Sequence, residues 1–222
     1  LAAVLDSVSC PHVVLASVGD LLPPMKGALT NFVVRHVKKG VPPYTLPSFI
    51  RFNDALRVGQ RTGLQKVVIK PDDVAALQYT GGTTGVSKGA TLLHRNLVAN
   101  ILQCRAWYEP VLGKQSEQVA LVCALPLYHI YAFSLIMLFG MAVGGRLILI
   151  PNPRDISATL KALKGEAVHM FPGVNTLFNA LARHPDFYSV NWKQLVLTMS
   201  GGMATQKATA DLWLEKTGCA IS

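Results

Sequence analysis

The sequence predicts an α/β protein with mixed, largely parallel sheets flanked by helices, and three observations carry that expectation. Short apolar runs of strand length recur along the chain, each closed by Gly or Pro. Stretches with helical spacing lie between them, the alternation that builds a parallel sheet. The 222 residues, 50% apolar and only 15% charged, can bury a sizeable core. This composition excludes a disordered chain, and the length excludes a miniprotein.

Residues 11–17, Pro11-His12-Val13-Val14-Leu15-Ala16-Ser17, read as a short buried strand that Gly19 and Pro23-Pro24 close off. Over 27–39, Ala28, Leu29, Phe32, Val33, Val34 and Val37 recur near helical spacing. Arg35, His36, Lys38 and Lys39 gather at its C-terminal end, where the helix dipole favours cations, and Pro42-Pro43 and Pro47 stop it. Residues 119–145 hold no Lys, Arg, Asp or Glu and are long enough for a membrane span, but Pro126 and His129 interrupt them. The run divides into a strand over 119–125, a Pro126-Leu127-Tyr128-His129 turn and a helix over 130–143. That helix rises only ~21 Å, short of a ~30 Å hydrocarbon core. Gly144-Gly145 turn the chain into a strand over 146–150, ended by Pro151. The same logic gives a helix over 157–163, a strand over 167–171 ended by Pro172-Gly173, a helix over 174–183, a strand over 195–199 ended by Gly201-Gly202, and a helix over 206–216.

Lys and Arg total 21 against 12 Asp and Glu, a formal charge of +9. Most of the excess lies in residues 25–70, where Lys26, Arg35, Lys38, Lys39, Arg51, Arg57, Arg61, Lys66 and Lys70 face Asp54 alone. Such a stretch suits an anionic surface or is simply a solvated face. Nucleic-acid binding is disfavoured, because the aromatic residues among these cations, Phe32, Tyr44, Phe49 and Phe52, read as core rather than as a stacking platform. Cys10, Cys104, Cys123 and Cys219 have neither zinc-ligand spacing nor the density of a disulfide framework; they read as reduced, buried thiols of a cytoplasmic protein.

The densest chemistry is Tyr79-Thr80-Gly81-Gly82-Thr83-Thr84-Gly85-Val86-Ser87-Lys88-Gly89, between the apolar residues 74–77 and a helix expected near His94. Gly81, Gly82 and Gly85 let backbone amides converge on an anion, Thr80, Thr83, Thr84 and Ser87 add hydroxyl donors, and Lys88 adds a mobile positive charge. The Gly-Lys-Ser/Thr spacing of a Walker A loop is missing, which disfavours a P-loop NTPase. A plain surface loop shares the composition, but the residue order is more specific. It resembles the phosphate-loop signature of the adenylate-forming (AMP-binding) superfamily of acyl-CoA synthetases, luciferases and nonribosomal-peptide adenylation domains. Gln78-Tyr79-Thr80-Gly81-Gly82-Thr83-Thr84-Gly85 followed by Leu92-Leu93-His94-Arg95-Asn96-Leu97 is most similar to bacterial long-chain fatty acyl-CoA ligases. Gly81 stands where many relatives carry a second hydroxyl, and Ser87 where many carry Pro.

The resemblance covers almost the whole chain. Leu125-Pro126-Leu127-Tyr128-His129-Ile130-Tyr131-Ala132-Phe133 resembles the family motif whose His and neighbouring aromatic lie beside the acyl carboxylate. Residues 173–180, opening Gly173-Val174-Asn175-Thr176, resemble the helix along the acyl pocket, and Ser200-Gly201-Gly202-Met203 the turn behind the adenine. Taken locally, His129 also fits a hydrogen-bonded core histidine and Gly201-Gly202 a simple strand end.

The resemblance implies an enzyme that uses ATP, Mg²⁺ and coenzyme A to convert a fatty acid to an acyl-adenylate and then to acyl-CoA. Thr80, Gly81, Gly82, Thr83, Thr84, Gly85 and Lys88 would hold the phosphates, with Thr83 a magnesium ligand. Lys88 and His129 would be catalytic, Gly201, Gly202 and Met203 would meet the adenine, and His129, Phe133, Gly173, Val174 and Thr176 the acyl group. An aryl or medium-chain acid is the alternative substrate; an amino acid is disfavoured by the lack of a carboxylate in 128–139 and 171–178. The chain reads as a fragment of the large N-terminal domain, with a leading strand and basic amphipathic segment in 1–70 and the phosphate loop and acyl/adenine core in 71–222. The family's Thr-Glu motif, a later aspartate and a C-terminal lysine are expected beyond it. Peripheral association with anionic lipid on the inner face of the cytoplasmic membrane, and a homodimer, complete the expectations.

Overall fold

The computed structural model describes residues 4–80, 87–115 and 117–222. The chain forms two compact units, one ending at Val68 and one starting at Ile69.

In the first unit, β1 (Val14–Leu15) pairs in parallel with β2 (Ile50–Arg51). Helix α1 (Pro24–Phe32) starts with Pro in its first turn, where the missing N–H costs nothing, and runs into a π-helical stretch, Val33–Val37. Helix α2 (Phe52–Thr62) follows β2 and ends at Gly63, whose φ of 70° suits a residue without a Cβ. The expected strand at 11–17 is therefore two residues long. It is not buried: Val14 is exposed and Leu15 half-buried, because β2 covers only one edge. Helix α2 was not expected at all.

In the second unit, β3 (Val74–Thr80) and β4 (Lys88–Leu93) form an antiparallel pair. Asn96 Oδ1 accepts from the Leu93 N–H at 2.9 Å and so caps α3 (His94–Leu112). Among the described residues four strands then build a parallel sheet: β5 (Ala120–Cys123), β6 (Arg146–Leu149), β7 (Met170–Gly173) and β8 (Leu197–Ser200), in the order β6-β5-β7-β8. Helical crossovers join them. The first is a continuous run of α4 (Ile130–Ala132), a π-helical stretch (Phe133–Leu138) and α5 (Phe139–Ala142); α6 (Ile156–Leu163), α7 (Asn175–Arg183) and α8 (Lys207–Thr217) follow. Among the described residues no helix is long and apolar enough to cross a membrane, so residues 119–145 form strand, turn and helix.

Proline 172 does not end its strand, contrary to expectation. The Leu197 N–H donates to the His169 carbonyl and the Gly201 N–H to the Gly173 carbonyl, both at 3.2 Å, so the odd-numbered residues of β7 face β8. By alternation Pro172 faces β5, where it has no N–H to give. Registered pairing between β5 and β7 is accordingly confined, among the described residues, to Leu121 opposite Met170, while β7 and β8 pair along all four residues.

One side of the sheet is sealed by an aromatic cluster of Phe171, Phe178, Phe187, Trp192 and Trp213, with ring centroids 4.8–6.3 Å apart. Both indole N–H groups are satisfied: Trp213 donates to Thr198 Oγ1 at 3.1 Å and Trp192 to the Phe187 carbonyl at 3.0 Å. No cysteine described is in a disulfide; Cys123 and Cys219 are buried and Cys104 half-buried, but Cys10 is exposed, because the segment around it has no partner layer. Burial pushes the Cys104 and Cys123 thiols up, which keeps them protonated and unreactive.

His169, only 1% exposed, completes the β5–β7 junction: its Nδ1 accepts from the Ala120 N–H at 3.1 Å. Burial lowers its pKa from the ordinary 6.5, a shift opposed by Glu117 and a hydrogen bond to the Ala167 backbone and reinforced by Arg146. The native state thus favours neutral imidazole. Its stability is whole above the unfolded value and falls as pH drops below about 6.5, where the unfolded chain takes up the proton first. Urea unfolding should show a steeper loss between pH 7 and 5 for the wild type than for His169→Asn, whose amide oxygen keeps the acceptor without titrating.

Candidate functional site

In strand order β6-β5-β7-β8, the connection leaving β5 runs to one side and that leaving β7 to the other. Such a reversal opens a crevice at the carboxyl ends of the two central strands, the usual ligand position in open parallel sheets. A cavity of about 460 Å³ lies there, lined by Ala124, Leu125 and Pro126 after β5 and by Val174, Thr176 and Leu177 after β7. Pro153 and Arg154, after β6, also line it, and Arg154 is its one charged side chain among the described residues. Val174 is half-buried and Thr176 exposed, so the cavity is open at one end.

Three of the motifs singled out by sequence are tied together at this edge. Gly173 ends β7 and Gly201 follows β8, and the hydrogen bond between them joins the acyl-side turn to the turn assigned to adenine. Tyr131, from the His129 motif, donates its hydroxyl to the Met199 carbonyl at 3.2 Å, and its ring packs against Gly201, where an added Cβ would come within 2.9 Å of it. Burial, with a smaller contribution from Tyr108, pushes the Tyr131 phenol up to about 12, so it stays a donor. His129 is exposed, and its Nδ1 accepts from the Tyr131 N–H at 3.2 Å, capping the helix that follows. When neutral it therefore carries its proton on Nε2, a donor pointing away from the cap. Phe133 opens the π-helical stretch and is half-buried. Gly202, at φ 79°, needs its lack of a Cβ; it and Met203 are exposed.

The phosphate-loop residues Gly81, Gly82, Thr83, Thr84 and Gly85 lie outside the described residues. The ends of the loop are defined: Thr80 closes β3 directly opposite Lys88, which opens β4. The loop connects these two antiparallel strands, and the helix expected near His94 begins at that residue. Gln78 Nε2, on β3, donates to the Tyr128 carbonyl at 3.2 Å, bringing β3 to the His129 turn. Among the described residues no cluster of three His, Cys, Asp or Glu side chains could hold a metal ion.

The sequence patterns give no individual role to Tyr131 or Gln78, and Ser200 enters them only as the first residue of the turn likened to the one behind the adenine. Ser200 Oγ is the buried side-chain polar atom that lacks a hydrogen-bond partner among the described residues, and it lies beside Gly201. Tyr131 lay within a quoted motif, but nothing in its spacing reveals a partner 68 residues away. Elsewhere, Ser157 Oγ lies 3.0 Å from His184 Nε2, with Asp186 next to Nδ1, in an arrangement like a hydrolytic triad. There the Asp186 N–H donates to Nδ1 at 3.2 Å, which places the imidazole proton on Nε2, facing the serine. His184 is a helix cap and cannot act as the serine's base.

An AMP-binding enzyme family model matches residues 6–222, and the chain belongs to that family. The long-chain-fatty-acid–CoA ligase of Escherichia coli O157:H7 is 45% identical over 98% of this chain and 38% of its own length. That of Haemophilus influenzae is 43% identical over 100% of the chain and 39% of its own. The chain thus spans about two fifths of the curated relatives it matches. In fold it is similar to the inhibitor-bound N-terminal domain of FACL13 from Mycobacterium tuberculosis, with a TM-score of 0.64 and 20% identity over 94% of this chain and 48% of that one.

A Cβ on Gly173 would come within 2.6 Å of the Phe178 ring. Gly173→Ala should cost ~1–3 kcal/mol in urea unfolding, and adding Phe178→Leu should recover part of that loss in a double-mutant cycle. Simple additivity would place the strain elsewhere.

Proposed function

We propose that the protein carrying this chain activates a long-chain fatty acid with ATP to an acyl-adenylate and pyrophosphate, and then transfers the acyl group to the thiol of coenzyme A with release of AMP. The observation that supports it most is the open, mainly apolar cavity at the sheet's switch point, lined by Leu125, Val174 and Thr176, in a chain 45% identical to a long-chain-fatty-acid–CoA ligase. A carboxylate is a poor acyl donor because its leaving group would be oxide. Attack of a carboxylate oxygen on the α-phosphorus expels pyrophosphate and gives a mixed anhydride; attack of the thiol sulfur on its carbonyl then expels AMP, the thiol proton leaving to solvent.

Charge gathers on phosphate oxygens in the first step, so fixed donors lower the barrier. In this reading the amides of Gly81, Gly82 and Gly85, the hydroxyls of Thr80, Thr83 and Thr84, and the Lys88 ammonium surround the phosphates, ATP arriving as its Mg²⁺ complex with Thr83 as a ligand. His129 Nε2–H faces the acyl carboxylate; Phe133, Gly173, Val174 and Thr176 border the chain; Gly201, Gly202 and Met203 border the adenine. Changing Thr83 and Thr84 together to Ala should cost ~2–4 kcal/mol in adenylation, read as slower ATP–pyrophosphate exchange in the protein that carries this chain. Undiminished exchange refutes the loop assignment.

We also propose that α1 rests on the inner face of the cytoplasmic membrane. Met25, Leu29 and Phe32, at helical spacing, are 89%, 64% and 58% exposed, with Arg35, Lys38 and Lys39 just beyond. Apolar side chains can enter the headgroup layer while each cation gains ~1 kcal/mol from anionic lipid. Met25→Ser/Leu29→Ser should reduce flotation with phosphatidylglycerol-containing vesicles; unchanged flotation rejects this placement.

A further inference from the structure

The first unit holds a second cavity, polar and about 620 Å³, formed between β1, α1 with its π-helical extension, β2 and α2. Three of the nine cations of residues 25–70, Arg35, Arg51 and Arg57, open onto it. Two carboxylates share it, and both are engaged. Asp20 accepts from the Ser17 N–H at 2.6 Å with one oxygen and from Asn31 Nδ2 at 3.3 Å with the other, while Asp54 pairs with Arg57. Among the described residues no carboxylate pairs with Arg35 or Arg51. The Arg35 guanidinium lies 5.9 Å from the centroid of the Tyr44 ring, which also lines the cavity and gives the guanidinium a flat support. Two guanidinium forks are thus presented to one polar space with their donors uncommitted to an acid.

We propose that this cavity is a binding site for a phosphate ester, gripped by Arg35 and Arg51. A planar fork meets two oxygens of a phosphoryl group at once, which a lysine ammonium cannot do, and the site uses arginine at all three cationic positions. A smaller, mainly apolar cavity shares Leu15, Ser17, Asn31, Arg35 and Tyr44 with it and extends to Val18, Val34 and Val41. The ester therefore carries an apolar or neutral arm beside its phosphate. The site is made wholly of residues from the first unit and does not rest on the ligase reading. A lipid headgroup and a soluble phosphate ester offer the same chemistry.

The test uses the full protein with glycerol 3-phosphate as the soluble probe. Its presence should slow phenylglyoxal labelling of Arg35 and Arg51, mapped by mass spectrometry, while Arg61, which does not line the cavity, labels as before. In calorimetry Arg35→Gln/Arg51→Gln should weaken the probe by ~10-fold or more. Lys26→Gln/Lys66→Gln, which removes the same charge away from the cavity, should not weaken it. The Thr83→Ala/Thr84→Ala variant should still bind the probe, which separates this site from the nucleotide loop. Flotation with phosphatidylcholine vesicles, with and without phosphatidylglycerol, identifies the source. Arginine-dependent flotation that glycerol 3-phosphate suppresses makes the ester lipid-borne, and probe binding without flotation makes it soluble. Absence of protection at Arg35 and Arg51 in the wild-type protein, or equal weakening by the two double variants, overturns the proposal.

Discussion

A missing N–H in the middle of the sheet shapes everything around the candidate site. Parallel strands need crossovers, and the crossover from β6 to β7 must pass β5, so the two central strands send their chains to opposite sides. That reversal creates a crevice, and Pro172 leaves the ladder beside it short of one donor. With an N–H at that position the β5–β7 ladder could continue beyond Met170. The sheet instead keeps full pairing between β7 and β8 and gives up pairing where the cavity lies. Proline is rare in central strands for this reason, and here its cost falls where a gap is useful. His169 offsets part of that cost at the other end of the junction, its imidazole accepting from the Ala120 N–H.

The three tied motifs depend on that geometry. Gly173 lies at the end of β7, next to Pro172, and its carbonyl accepts from Gly201. Gly201 admits the Tyr131 ring, whose hydroxyl returns to β8 at Met199. Each link needs the absence of something: an N–H at 172, a Cβ at 173, a Cβ at 201. Small residues here serve close approach rather than flexibility, which suits a site that must hold its donors in fixed positions.

Much of this was legible in the sequence, since buried strands announce themselves by apolar runs and their closing Gly or Pro. Residues 119–150 divide as expected because Pro126 and Gly144-Gly145 are unambiguous breakers. What failed did so where long-range pairing overrides local preference. Lys88-Gly89-Ala90 has poor strand propensity and becomes β4 only because β3 lies opposite. Helix α2 has Phe52, Ala55 and Leu56 at helical spacing, but the stripe is short and Gly59, a poor helix former, interrupts it. The local rule that Pro ends a strand fails at Pro172 because it concerns one residue's donor, whereas the strand's other edge pairs with β8. The motifs of the site were visible as strings, but their joining through Tyr131 was not, as a phenol and a carbonyl 68 residues apart leave no pattern in spacing.

At the same edge the buried Ser200 hydroxyl has, among the described residues, no hydrogen-bond partner. A buried hydroxyl left without a partner costs ~1–3 kcal/mol, and a fold normally removes such an atom or pairs it. Here it persists at the end of β8, one residue before the turn proposed to meet the adenine, where the chain has already accepted a glycine at φ 79° and the loss of two Cβ contacts. A ligand that offered this hydroxyl a partner would recover that cost in the bound state, so part of its affinity would come from a penalty already present in the free protein. Thr198, two residues earlier on the same strand, has no such penalty, because its Oγ1 accepts from the Trp213 indole. Along a single strand, then, one hydroxyl is committed to the core and the other, among the described residues, has no partner.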